Sequence, residues 1–111
     1  MTLTQLASRV EKLDPEADFR EVARTCLLLA NSVDSIEELE NDEHLLDCWQ
    51  EAGLKLQLAT DQHAATTLEL EELASSDPKQ FRPEQIWVLL RAIKVQGQVL
   101  QLYVGGEAID V

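Results

Sequence analysis

Glycine and proline are scarce, four and three in 111 residues. That is too few for an all-β chain, which spends them at every turn. Only two cysteines are present, so no disulfide framework can be drawn. Cys26 and Cys48 read as small apolar core residues. Aromatic residues make up 5%. Basic residues are outnumbered, nine against 21 acids, for a formal net charge of −12. A field of that sign repels phosphates, which argues against a nucleic-acid binder. The longest apolar runs, Cys26–Ala30 and Ile86–Leu90, are far short of a membrane span. The first residues, MTLTQLASRVEK, hold no basic segment followed by an apolar one. The chain therefore reads as cytoplasmic, with no secretory signal.

What is present is helical periodicity. The length suits one domain, residues 1–111, with a tail over 105–111 expected to fray. Leu3, Leu6, Ala7, Val10 and Leu13 recur at three- and four-residue spacing, which predicts a first helix over 3–13. Asp14-Pro15 reads as an N-cap followed by proline at the first helical position, opening a second helix that runs to about Ser32. Its apolar side takes Phe19, Val22, Cys26, Leu27, Leu29 and Val33, and Leu28 falls opposite. Ser35 with Glu38 matches a capping box, and Asn41-Asp42 offers a second start. From there an apolar stripe runs Leu45, Trp49, Ala52, Leu56, Ala59, His63, Thr67, Leu70, Ala74 without losing phase. A straight helix of that length spans ~50 Å. Either it breaks near Gly53 or Thr60, or it outruns what its own chain can cover.

Pro83 opens the last helix, which continues to about Val104 and stops at Gly105-Gly106. It contains no acid from Gln85 onward, and its polar arc is narrow: Arg91, Lys94, Gln98 and Gln101. A helix apolar over more than half its circumference is buried on more than one side. No segment alternates with period two, so the expected fold is an all-α antiparallel bundle of about four main helices, with no β-sheet.

Three constellations could carry function. The loudest is an acidic tract: Asp34, Glu37, Glu38, Glu40, Asp42, Glu43, Asp47 and Glu51 occur with no Lys or Arg between them. It reads either as a solvated face or as a docking face for a basic protein, with Asp42, Glu43, Asp47 and Glu51 as partner-binding candidates. The second is a ligand set, His44, Asp47, Cys48 and Glu51, sharing one helix face. It lacks the Glu-x-x-His pairs of a di-iron bundle, since Asn41 and Thr60 stand three residues before His44 and His63. It also lacks CxxC or HxxxH zinc spacing. The paired-carboxylate magnesium pattern of all-α nucleotide pyrophosphohydrolases fails likewise at Asn41 and Ser75. The third is a second apolar stripe, Leu54, Leu58, Ala65 and Leu68, joined by Trp87 on the polar side of the last helix. Contiguous exposed stripes mark interfaces.

His63 and Gln96 stand out as polar residues on apolar arcs. His63 reads as a core histidine satisfied by a neighbour, or as a group aimed into the bundle. Trp87 reads as lying under Arg91 or as an interface residue. These features favour a non-enzymatic, self-associating acidic interaction module. The expected state is a homodimer that docks a basic protein, with Leu54, Leu58, Leu68 and Trp87 at the self-association seam. The alternative is a small metal-binding bundle or enzyme using His and carboxylate side chains. No cofactor, nucleic acid or membrane is implied.

Overall fold

The structure, a computed structural model, describes residues 1–105. It is all-α, with four helices and two short 3-10 turns, and no strand among the described residues. The tail expected over 105–111 lies outside the described residues except for Gly105. That residue has a φ of 78°, the left-handed stop expected after the last helix.

Helix α1 is Leu3–Leu13. Thr2 and Gln5 cap it reciprocally: Gln5 N donates to Thr2 Oγ1 at 3.1 Å and Thr2 N donates to Gln5 Oε1 at 2.8 Å. Helix α2 is Phe19–Ser32 and starts later than expected. Asp14 closes α1 instead, its N–H bonding Val10 O at 3.0 Å. Residues 14–17 turn, and Asp18 is the N-cap, accepting from Glu21 N at 2.9 Å. Two aspartates compete for the cap here, and the one followed by proline is used to end a helix.

A 3-10 turn, Ile36–Glu40, follows. Glu38 Oε2 accepts from the backbone N–H groups of Asp34 and Ser35 at 3.0 and 3.1 Å. Asn41 caps α3, accepting from His44 N at 2.9 Å. Helix α3, Asp42–Ala74, runs unbroken for 33 residues. Neither suspected break occurs. Gly53 costs a helix only ~1 kcal/mol relative to alanine. Thr60 satisfies its hydroxyl on Leu56 O at 2.8 Å. Ser75 and Ser76 return their hydroxyls to Glu71 O and Glu72 O at its end. A second 3-10 turn, Pro78–Gln80, leads to α4, Pro83–Val104.

The chain divides into two compact units, residues 1–55 with 102–105, and residues 56–101. The first has a closed core of Leu6, Val10, Val22, Cys26, Leu29, Leu39 and Leu45. Leu28 is buried as well, contrary to its place on the wheel. Three residues on, Asn31 Nδ2 donates to Tyr103 O at 2.7 Å and Leu102 O at 3.3 Å, so the end of α4 lies against this side of α2. Phe19, expected inside, is exposed and sits under Arg20, 5.6 Å from its ring centre.

In the second unit, burial follows a heptad on each helix. The least exposed positions are Leu56, Ala59, Thr66, Leu70 and Leu73 on α3, and Gln85, Val88, Ala92, Val95 and Val99 on α4. Spacings alternating between three and four residues are those of paired helices. Arg91 Nη2 bridges Glu69 Oε2 at 3.1 Å beside this seam.

Candidate functional site

The acidic tract divides by partner. Asp42 faces Arg9, whose guanidinium donates both to that carboxylate and to the carbonyl of Leu39. Leu39 is fully buried. This arginine, which sequence reasoning passed over, therefore ties α1 to the 3-10 turn and to the first turn of α3. Nothing in the pattern of α1 distinguishes Arg9 from a solvated cation. Glu37 and Glu40 flank the Met1 ammonium at 3.3 and 3.1 Å. The hydrogen bonds that the ammonium donates to Glu40, then to Glu37, raise the amino pKa. Glu37 is held below the ordinary carboxylate value, chiefly by the Ser35 hydroxyl at 2.6 Å.

Along α3, Leu45 points into the core. At 100° per residue Glu43, Asp47 and Glu51 fall on the opposite side, four residues apart, and all three are exposed. Glu51 pairs with Lys55 at 3.1 Å. Glu43 and Asp47 have no ion pair among the described residues. Of the four candidates, then, three share one face and Asp42 belongs to a structural bridge.

The ligand set does not close. His44 Nε2 and Cys48 Sγ lie 3.7 Å apart, one turn separating them. Burial raises the Cys48 pKa, and the charge of Glu51 adds to it. Burial does the same at Cys26, with Glu11 adding to it. Both thiols are free, and a raised pKa disfavours the thiolate needed for nucleophilic attack or metal ligation. Among the described residues no three His, Cys, Asp or Glu gather as a metal would require. An open depression at Ser76, Asp77, Gln80, Arg82, Glu84 and Gln85 is lined by polar groups of the turn before α4, without the apolar enclosure of a small-molecule site.

His63 is exposed rather than buried, and so is Gln96. A two-helix seam covers only its own centre, and no third layer within this unit shields them. Arg91 is engaged with Glu69, and Trp87 stays 61% exposed. The other self-association candidates are equally open, Leu54 at 73%, Leu58 at 58% and Leu68 at 64%. On α3 the stripe of Leu58, Ala65 and Leu68 falls about 140° from the buried seam at 100° per residue. On α4, Ile86, Leu90, Ile93 and Leu100 form a second heptad seam about 135° from the first by the same rule. Each stripe thus faces away from the partner helix. Sequence reasoning named Trp87 but did not separate this second seam from the first, because a helix apolar nearly all round has no evident phase.

No helix among the described residues is long and apolar enough to cross a membrane. Comparison with known protein families, with curated proteins and with solved structures finds no match.

Proposed function

We propose that this chain is a non-enzymatic protein-interaction module that self-associates through its second unit and docks a basic protein on its first. The observation that carries the reading is the apolar surface of α3 and α4, where Leu58, Leu68, Trp87, Ile93 and Leu100 are all more than half exposed. Patches beyond a few hundred Å² are uncommon on monomers and mark interfaces. A homodimer is the simplest assembly, since two-fold closure is the commonest symmetry. Leu54, Leu58 and Leu68 on α3 and Trp87 on α4 are exposed candidates for its surface. Free thiols at Cys26 and Cys48 suit the reducing cytoplasm.

The basic partner rests on Glu43, Asp47 and Glu51. Aligned carboxylates on one helix face steer a cationic surface and speed encounter. Light scattering at micromolar concentration tests self-association: a mass near twice 12.5 kDa supports it, and one near 12.5 kDa sinks it. For the docking face, Glu43→Lys with Asp47→Lys should leave folding intact, because exposed charges contribute little. The pair should slow binding of a basic partner and flatten its salt dependence. A partner indifferent to both substitutions and salt removes the docking face from the proposal.

A further inference from the structure

The two outward stripes of the second unit differ in chemistry. On α3, Leu58, Ala65 and Leu68 are interrupted by Asp61 and Glu72 at the same register. Two copies meeting there would bring carboxylates together in chains that each carry −12. On α4 the second seam reads Ile86, Leu90, Ile93, Gly97, Leu100, and no acid occurs from Gln85 through Gly105. Among the described residues it is a long surface on which two copies of so acidic a chain can meet without bringing carboxylates together, Lys94 being the cation at its flank.

Its area also fits. Ile86, Trp87, Leu89, Leu90, Ile93 and Leu100 leave on the order of 600 Å² open, most of the ~800 Å² that each partner of a standard interface contributes. At the middle of the seam is a gap: a Cβ built on Gly97 meets nothing within 4 Å. Spacing decides how a second copy fills it. Antiparallel about a two-fold axis, the seam is self-complementary, with Leu90 opposite Leu100 and Ile93 opposite Gly97. Parallel, Gly97 faces Gly97 and the gap doubles.

We propose that a second copy of the chain covers the outer seam of α4, antiparallel and two-fold, with Ile93 of each copy seated over Gly97 of the other. This rests on the self-association reading and specifies its surface. The buried seam of α4 stays within the chain, the outer one joins the copies, and Gly97 sets how closely the helices approach.

Sedimentation of the unmodified chain, Ile93→Asp and Leu58→Asp tests the surface. Both replaced residues are exposed, so circular dichroism should remain helical in each. The expected result is a dimer for the unmodified chain and Leu58→Asp, and a 12.5 kDa monomer for Ile93→Asp. Orientation is read by mild oxidation in chains with Cys26 and Cys48 replaced by alanine. Leu90→Cys mixed with Leu100→Cys should form mixed disulfide dimers, and neither should link to itself. Self-linking of Leu90→Cys overturns the antiparallel pairing. A dimer lost in Leu58→Asp and kept in Ile93→Asp overturns the α4 surface while self-association stands. A monomeric unmodified chain at tens of micromolar overturns both.

Discussion

In the first unit Leu6, Leu29 and Leu39 have no exposed surface, whereas the best-covered apolar residues of the second are Ala92, Ala59 and Leu73 at 5–8%. Two of those three are alanines. Burying a leucine stabilises by ~1.5–3 kcal/mol, and an alanine offers far less apolar area. The first unit has α1, α2, a 3-10 turn and the start of α3 to close around its leucines. In the second, two helix segments can only cover each other's inner face. Enclosure takes a third layer, and where the chain does not supply one its large side chains stay outside.

Large-to-small substitution should separate the two regions most sharply. Leu29→Ala should destabilise the chain by ~2–5 kcal/mol in urea unfolding, the usual cost of a core cavity. Ile93→Ala, the same kind of deletion at a 53% exposed position, should change chain stability far less and register chiefly in self-association. Equal unfolding penalties for the two would remove the distinction.

Much of the fold is legible in the sequence because most of its helices announce themselves. The first helix falls at residues 3–13, the long stripe belongs to one helix, Asp42–Ala74, although its covered line shifts from His63, Thr67 and Ala74 to Thr66 and Leu73, and Pro83 opens the last helix. Burial by distant parts of the chain is not legible. Leu28 lies on the wrong side of its own wheel and is buried nonetheless, three residues before Asn31, which meets the last turn of α4. His63 errs the other way, since a stripe gives direction but not whether anything arrives to cover it. Of the acidic candidates, the shared face of Glu43, Asp47 and Glu51 follows from spacing alone. The engagement of Asp42 depends on Arg9, 33 positions away, which no local pattern contains.

That arginine supplies the next effect. Arg9→Ala should cost ~1–3 kcal/mol, because it strips a charged hydrogen bond from the carbonyl of a fully buried residue. Urea midpoints measure it. In the second unit the exposed Glu69–Arg91 bridge should matter by less than ~1 kcal/mol when Glu69→Ala is compared. A smaller step concerns Gly53, helical, exposed and facing open space. Gly53→Ala should stabilise by ~0.5–1 kcal/mol, visible as a raised melting temperature. Gly97→Ala brings the same backbone gain but fills the notch proposed for Ile93, so it should loosen the dimer.

The smallest effect is electrostatic and confined to the first unit. The Met1 amino group is raised from 8.0, so its contribution is full below that pH and fades as pH rises through the folded value. Glu37 is lowered from 4.5, so its contribution is full above that pH and fades as pH falls. Stability from this contact should be flat between those limits and decline outside both. Glu37→Gln should flatten the acid limb in thermal melts.

Among the described residues the amide of Asn31 closes the longest side-chain hydrogen-bonded loops, 71 and 72 residues to Leu102 and Tyr103, against 30 for Arg9 to Leu39 and 22 for Glu69 to Arg91. Loop-closure entropy grows with the logarithm of length, adding about 1 kcal/mol between the shortest and longest of these. Of these three closures the cheapest is the one between Glu69 and Arg91, which joins α3 to α4 with little apolar burial. The closure of Asn31 on the last turn of α4 is the dearest and the most non-local of the three, which by loop entropy makes it a late step in refolding.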